Sequence, residues 1–267
     1  MEQDYYAEYR EIEDWHWWFQ GRRKILFRLL DRHPGPADAS RRVLDIGCGT
    51  GAMLQPLSRY GTVDGVDADP NAVRFCRERG VEGVRRLSSE TLPWEPEVFD
   101  LVTALDVIEH IDDDRAFLEE THRVLRPGGT LLLTVPAYEL LWGPQDEISH
   151  HKRRYRAGEL RERVEGVGLR LARLSYFNTL LFPAIAAVRL LRPRRAPDRE
   201  LRSDFALTGP GRLNEILARV FASEAALVER WRLPFGVSIV ALARKDPTGR
   251  EPELPAHGDM TWRPWSP

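Results

Sequence analysis

The chain has 267 residues, of which 39 are lysine or arginine and 41 are aspartate or glutamate, so its formal net charge at pH 7 is −2. This length suits one large domain, or one domain with an insertion. A nearly neutral chain lacks the global positive field that attracts nucleic acids. Its two cysteines, Cys48 and Cys76, are too few for a disulfide framework. Because the sequence shows no secretory signal and no bilayer-spanning apolar run, we expect a cytoplasmic protein.

The predicted elements begin with a helical, aromatic-rich segment, followed by a polar linker that ends at residue 41. From residue 42 onward, short strands alternate with helices, which favours parallel βαβ units in a doubly wound sheet. Strands are predicted near 42–47, 62–67, 82–87, 99–105, 129–135, 168–176 and 236–244. Helices are predicted near 50–60, 70–79, 113–126, 156–167 and 211–231.

A glycine-rich turn follows the first predicted strand, in the stretch RVLDIGCGTG at 42–51. A loop for a nucleoside triphosphate is excluded because no lysine follows these glycines. A dinucleotide is a closer match, since Gly47, Gly49 and Ala52 fit the G-x-G-x-x-G/A spacing and Asp67 lies 20 residues after Gly47. Taken alone, this glycine spacing leaves the cofactor open.

Asp45 favours a cofactor without phosphate. It lies two residues before the first glycine, where a pyrophosphate at the helix N-terminus would meet a like charge. S-adenosylmethionine (SAM) instead carries a sulfonium and an ammonium group, which an acid stabilises directly or through water and backbone. Asp67, predicted at the end of the second strand, can accept hydrogen bonds from the ribose hydroxyls of either cofactor, so it does not discriminate between them.

Four segments together resemble the class I SAM-dependent methyltransferases: VLDIGCGTG at 43–51, GVDADP at 65–70, FDLVTALDVIEHI at 99–111 and RVLRPGGTLLLTVP at 123–136. The resemblance implies an α/β fold with a Rossmann-like, seven-stranded, doubly wound sheet whose last strand is antiparallel. It also implies a set of cofactor-binding residues: Asp45, Gly47, Cys48, Gly49 and Gly51 around the methionine, Asp67 and Ala68 at the ribose and adenine, and Leu105, Asp106 and Val107 beside the cofactor.

The sequence departs from this family pattern at the adenine. Many relatives place an acid against the adenine amino group after the third strand, whereas this chain has the stretch RLSSETLPW. Ser88 or Ser89 can still hydrogen-bond the adenine there, so both serines join the expected cofactor-binding residues.

Candidate catalytic side chains follow the fourth and fifth strands. Asp106, Glu109 and His110 have the i, i+3, i+4 spacing of one helical face, and His150 and His151 come later in ISHHKRRY. A general base helps when the acceptor is a hydroxyl or an amine. We therefore expect catalysis to involve His110, His150, His151 and Glu109. The alternative is that Glu109 and His110 only orient their loop and that the histidine pair lies on a solvated basic turn.

The same arrangement is similar to the quinone-biosynthesis O-methyltransferases, some of which bind a divalent metal through such groups. The resemblance implies a ligand set of Asp106, Glu109, His110 and His150, which is an acceptable mixture of oxygen and imidazole ligands. The alternative, which we favour from the sequence, is a loop without a metal.

The aromatic cluster at residues 15–18 has two interpretations. It either holds the N-terminal helix to the sheet, or it forms a lid over cofactor and acceptor, with Trp18 against the cofactor and Arg22 or Arg23 near its carboxylate. Aromatic faces suit a sulfonium, and a closed site excludes water and aligns the methyl group.

The segment 178–235 separates the last two predicted strands and is too long for a plain loop. Its apolar stretch and the basic run that follows, together 179–195, predict a helical lid over a bulky or hydrophobic acceptor. Other interpretations are a peripheral membrane contact, an accessory core helix and a homodimer contact. The chain is then divided into an N-terminal lid and linker at 1–41, a SAM-binding core at 42–177, the insertion at 178–235, the last strand at 236–246 and a flexible tail at 247–267.

The sequence thus predicts a SAM-dependent methyltransferase that acts on a small molecule from secondary metabolism or cell-envelope biosynthesis. An oxygen acceptor is expected first, then nitrogen, then carbon, in a hydrophobic or lipid-linked intermediate. The alternatives are an NAD-dependent oxidoreductase and a non-catalytic SAM-binding scaffold protein. A nucleic-acid substrate is disfavoured because the sequence has no basic groove with interleaved aromatic residues.

Overall fold

The computed structural model describes residues 3–33, 38, 40–89, 91–191 and 204–248. Its seven strands form one sheet in the order β3-β2-β1-β4-β5-β7-β6, in which β7 runs antiparallel to both of its neighbours. This sheet confirms the predicted α/β fold with an antiparallel last strand. The strands are β1 (Arg42–Ile46), β2 (Thr62–Asp67), β3 (Val84–Arg86), β4 (Phe99–Leu105), β5 (Leu125–Pro136), β6 (Leu169–Phe177) and β7 (Ser238–Lys245).

The helices lie on both faces of the sheet, as a doubly wound fold requires. They are α1 (Gln3–Ile12), α2 (Trp17–Arg32), α3 (Leu54–Leu57), α4 (Pro70–Glu78), α5 (Asp114–Val124), α6 (Pro144–Ile148), α7 (Ala157–Glu165), α8 (Phe182–Leu191) and α9 (Arg212–Arg230). Among the described residues, none of these helices is long and apolar enough to cross a membrane. The basic run 192–195 and most of the proposed tail, residues 249–267, lie outside the described part.

Two helices differ from the sequence prediction. The helix predicted at 50–60 is the short α3 followed by a 3₁₀ turn at Ser58–Tyr60. Gly51 and Pro56 explain the short length, since glycine disfavours helix and proline cannot donate its backbone hydrogen bond. The five-residue α6 is not predicted because it is too short to show helical periodicity. Its first turn is stabilised by Asp146, whose carboxylate accepts a hydrogen bond from the Gly143 amide at 2.8 Å.

The N-terminal helix α2 packs against α9 of the insertion and, with it, covers one face of the sheet. Its residues Ile25, Leu26, Leu29 and Leu30 are buried in a cluster that includes Phe221 of α9. Gly21 permits the close approach of the two helices, since a Cβ atom there would lie 2.4 Å from Cδ1 of Phe221. The structure therefore places one face of α2 in the core, with Trp17 and Trp18 packed against it.

Candidate active site

A cavity of about 690 Å³ lies at the carboxyl ends of β1, β2 and β4, where open α/β sheets bind their ligands. Most of the cofactor-binding residues expected from the sequence line it. They are Trp18, Arg22, Asp45, Gly47, Cys48, Gly49, Asp67, Ala68, Leu105, Asp106 and Val107. We call this space the first cavity.

The glycine loop exposes its backbone to this cavity. Gly47 and Gly49 have φ angles of +67° and +55°, in the left-handed region that glycine adopts most readily. No described atom lies within 4 Å of a Cβ built on Gly49, so a ligand has room to approach there. At Gly51 the space is taken by the protein itself, because a Cβ there would meet Sγ of Cys76 at 2.9 Å. Gly51 lies outside the cavity wall and allows the loop to pack against α4.

Asp45 is a buried acid at the base of the first cavity. Only 3% of it is exposed, and its carboxylate accepts a hydrogen bond from the Thr103 hydroxyl at 2.5 Å. Burial raises the pKa of Asp45 to about 7, although the Thr103 hydrogen bond and the charge of Arg22 act in the opposite direction. A cationic ligand nearby would favour the ionised form, so this position suits an ammonium or a sulfonium better than a phosphate.

Asp67 lies at the end of β2 and already organises the loop. One carboxylate oxygen accepts a hydrogen bond from the Gly49 amide and the other from the Asp69 amide, both at 2.9 Å. The hydroxyl of Tyr6 donates to Asp67 from α1 at 3.4 Å. An ionised carboxylate has about four lone-pair sites, so Asp67 keeps acceptor capacity for a ligand hydroxyl.

Helix α1 and the turn that follows it cover the first cavity through contacts that the sequence does not indicate. Tyr6 and Glu13 both line the cavity. The buried carboxylate of Glu13 accepts hydrogen bonds from the Thr50 hydroxyl in the glycine loop and from the Arg79 guanidinium after α4. These contacts join positions far apart in sequence, so no local motif signals them.

The two serines expected at the adenine are placed differently. Ser88 and Ser89 belong to the described residues but are exposed and lie outside the cavity wall, which Leu87 occupies instead. The Leu87 amide donates to the Asp67 carbonyl at 2.8 Å and so continues the pairing of β2 and β3. Ser89 donates its hydroxyl hydrogen bond to the Thr91 carbonyl. An adenine in this cavity would meet the Leu87 side chain.

Arg22 joins α2 to the sheet inside the cavity. Its guanidinium forms an ion pair with Asp106 at 2.9 Å and donates to the Thr134 hydroxyl at 2.9 Å. The same group lies over the Trp18 ring, 4.7 Å from its centroid. Arg22 and Arg23 both line the cavity.

A second cavity of about 290 Å³ adjoins the first. Tyr9, Trp18, Asp106, Ser149 and His151 line both. The second cavity lies where β5 and β6 end and β7 begins, under the insertion. Its wall is mostly apolar and is formed by residues that include Trp17, Leu181, Ala184, Ile185, Val188, Phe205 and Leu217.

His151 faces both cavities and is held by a buried acid. Its Nδ1 lies 2.8 Å from a carboxylate oxygen of Asp146. Asp146 in turn receives two hydrogen bonds from the buried Arg154, both at 2.8 Å. The His151 bond and the positive charge of Arg154 hold the pKa of Asp146 well below its usual range, against the effect of burial. The free Nε2 of His151 then points toward Glu109, 3.9 Å from its Oε1.

The other catalytic candidates lie around His151. The His110 and His151 rings meet edge to face with centroids 4.7 Å apart, and burial lowers the pKa of His110 to about 4. Glu109 is fully buried, and neither of its carboxyl oxygens has a hydrogen-bond partner among the described residues. Burial raises the pKa of Glu109, and the nearby Asp106 acts in the same direction. His150 lines the first cavity only.

The metal set expected from the resemblance is not the group that the structure brings together. Among the described residues, the side chains placed to share a metal ion are Glu109, His110 and His151, whose ligand atoms lie within 4.8 Å of one another. Asp106 is paired with Arg22 instead, and His150 lies outside this group. The two imidazoles and the unpartnered carboxyl fit a divalent transition metal, and Asp146 would orient His151 as outer-shell acids do.

The sheet order, the glycine loop, Asp45 in β1 and Asp67 at the end of β2 are typical of class I SAM-dependent methyltransferase domains, for which the cofactor is SAM. Residues 44–133 match the family model described as "Methyltransferase domain". A ubiquinone biosynthesis O-methyltransferase from Ruegeria pomeroyi is 39% identical over 97 residues, which cover 34% of this chain and 39% of that protein. A protein of the same name from Brucella anthropi is 31% identical over 158 residues, covering 52% of this chain and 63% of its own length.

The chain therefore spans less than two thirds of these curated relatives. A solved complex of the Haloferax volcanii Trm112 methyltransferase activator contains a methyltransferase chain that superposes with a TM-score of 0.58 and 21% identity. The superposition covers 91% of this chain and 94% of that one. At this identity the likeness concerns the fold alone.

Proposed function

We propose that the protein transfers the methyl group of SAM to a small-molecule acceptor, with oxygen as the first expected accepting atom, then nitrogen, then carbon. The main support for this proposal is the pair of adjoining cavities at the carboxyl ends of the strands. One is lined by the glycine loop, Asp45 and Asp67, and the other is mostly apolar. The names of the curated relatives support oxygen as the first choice.

The reaction is an in-line displacement, so the protein's main task is to hold donor and acceptor at attacking distance. Trp18, Asp106 and His151 line both cavities, and we place the sulfonium methyl group and the acceptor on either side of them. Trp18 offers an aromatic face that attracts a sulfonium. Helix α1 excludes water from the donor side, which suits a displacement on a charged donor.

His151 is the general base that we propose for a hydroxyl acceptor. If Nδ1–H of His151 donates its hydrogen bond to Asp146, Nε2 is left to take a proton. The acceptor oxygen gives its proton to Nε2 while its lone pair forms the bond to the methyl carbon. The carbon–sulfur bond breaks, and its electron pair stays on sulfur in S-adenosylhomocysteine. A divalent ion held by Glu109, His110 and His151 would instead act by lowering the pKa of the acceptor hydroxyl.

The test uses SAM labelled in its methyl group and the small-molecule fraction of a cell extract. We expect labelled product from the unaltered protein, and a loss in kcat of roughly 10²–10⁴-fold in His151→Gln with cofactor affinity nearly unchanged. His122→Gln is the matched control, because His122 lies on α5 and lines neither cavity. SAM binding without any transfer would contradict the proposal and favour a non-catalytic scaffold. Binding of NADH in place of SAM would favour an oxidoreductase.

For the insertion 178–235 we propose a lid over the acceptor, because α8 and the chain before it supply much of the apolar wall of the second cavity. Leu190 and Leu191 on α8 are 51% and 84% exposed, and Arg192 follows them in sequence. A peripheral membrane contact is the use that we propose for this exposed face, with a homodimer contact as the alternative. Co-sedimentation with anionic vesicles and light scattering of the free protein distinguish the two.

A further inference from the structure

Two buried polar side chains in the wall of the second cavity lack a partner. Asn178 is fully buried, and neither atom of its side-chain amide has a hydrogen bond to any described residue. Both carboxyl oxygens of Glu109 likewise lack a hydrogen-bond partner among the described residues. Unpartnered polar groups carry a desolvation cost, so native proteins contain few of them. Two in one cavity leave hydrogen-bonding capacity that a bound molecule can use.

Asn178 is held firmly in this position. It directly follows β6 with a φ angle of +58°, a left-handed conformation that asparagine tolerates better than most residues. Its backbone carbonyl accepts a hydrogen bond from the Val237 amide at 3.4 Å. The backbone is therefore fixed between two core strands, while the side-chain amide lacks both a donor and an acceptor among the described residues.

The charges around the second cavity are balanced within the protein. Among the described residues that line it, Arg154 is paired with Asp146 at 2.8 Å and Arg189 with Asp204 at 2.7 Å. Asp106 is likewise paired with Arg22. Within this described wall no cation is left over to neutralise a phosphate or a carboxylate, and burying an unpaired charge is costly.

Much of the remaining wall is apolar. Leu181 and Ile185, from the chain around α8, line the cavity together with Trp17 and Leu217. Apolar walls with a few placed polar groups are typical of small-molecule sites. An occupant thus needs an apolar body and at least one group that hydrogen-bonds without carrying charge.

We infer that the second cavity binds a neutral, largely apolar acceptor whose hydroxyl or amide group is held by Asn178 and Glu109. This inference rests on the proposed function, because it names the class of acceptor that would meet SAM there. His151 lies in the same wall, with its Nε2 3.9 Å from Glu109. A hydroxyl bound at Glu109 therefore reaches the base that we assign to it. The second cavity then rejects acceptors that would place a phosphate or a carboxylate at Asn178 and Glu109.

The test compares three probes of one shape, 4-propylphenol, propylbenzene and 4-propylbenzoate, by ligand-observed NMR titration with and without saturating S-adenosylhomocysteine. We expect 4-propylphenol to bind about fivefold more tightly than propylbenzene, as one or two neutral hydrogen bonds allow. We expect 4-propylbenzoate to bind more weakly than both. Tighter binding of the benzoate, or binding of none of the probes, would overturn the inference.

Two variants separate polar recognition from apolar packing. Asn178→Gly removes the amide and keeps the left-handed backbone, so we expect about a fivefold loss for 4-propylphenol and little change for propylbenzene. Ile185→Ala shortens the apolar wall, so we expect both probes to lose affinity alike. Equal losses for both probes in Asn178→Gly would contradict a polar role for Asn178. The binding of S-adenosylhomocysteine is measured separately and reports on the proposed function. If S-adenosylhomocysteine does not bind, the comparison of the three probes without cofactor still tests the inference.

Discussion

Replacing Asp67 by alanine removes the carboxylate that ends β2 in the wall of the first cavity. We expect this change to weaken the binding of S-adenosylhomocysteine strongly, because a ribose hydroxyl would lose a charged acceptor. The fold should survive. Within the protein, the variant removes the acceptor of hydrogen bonds from the Gly49 and Asp69 amides and from Tyr6, and the cavity admits water to the two amides.

The expected loss follows from the one ligand hydrogen bond for which Asp67 keeps acceptor capacity. A bond to a charged group contributes up to about 3 kcal/mol. This free energy corresponds to about a hundredfold in the dissociation constant. Reorganisation of the Gly49 loop would add to the loss.

Isothermal titration calorimetry with S-adenosylhomocysteine measures the effect, and thermal unfolding shows whether the variant is folded. Asp64→Asn is the matched control, since Asp64 lies on the same strand but pairs with Arg42 outside the cavity. We expect little change in affinity there. A folded Asp67→Ala variant that binds within about threefold of the unaltered protein would refute the ribose role of Asp67.

Three further outcomes are expected. Burial lowers the pKa of His16 from 6.5 to about 4, so the unfolded chain binds the proton more tightly and stability falls as the pH drops through this range. We expect the change in unfolding free energy between pH 7 and pH 5, measured with urea, to differ by about 2 kcal/mol between the unaltered protein and His16→Asn, with the unaltered protein losing more stability. Gly21→Ala should cost about 1–3 kcal/mol in the same assay because its methyl group would collide with Phe221; an unchanged midpoint would contradict the tight helix contact. Because Asp146 already orients His151 as a base, methyl transfer should survive EDTA; loss that Mn²⁺ or Mg²⁺ restores would instead support metal ligation.

The strands and the cofactor loop could be predicted because their signals are local. Each strand is a short apolar run bounded by turn residues. Asp45 and Gly49 belong to one continuous stretch whose spacing carries the family resemblance. The serines at 88 and 89 were expected by analogy with relatives, but the pairing of β3 continues through Leu87 and leaves both serines outside the cavity wall.

The parts that sequence could not supply depend on contacts between distant segments. Glu13 meets Thr50 only because α1 folds over the glycine loop. Asp146 lies in a helix too short to predict, and its role emerges only from its contacts with His151 and Arg154. Asn178 gave no signal, because a buried amide without a partner is visible only once its surroundings are known.

Calorimetry of the purified protein with SAM, S-adenosylhomocysteine and NADH tests the central claim most directly. Asp45 is a buried acid beside the glycine loop. A pyrophosphate bound at this loop would therefore meet a like charge, at an electrostatic cost. We expect both sulfur compounds to bind and NADH to give no heat of binding. Binding of NADH without binding of SAM would contradict our interpretation of Asp45, and the proposed methyl transfer with it.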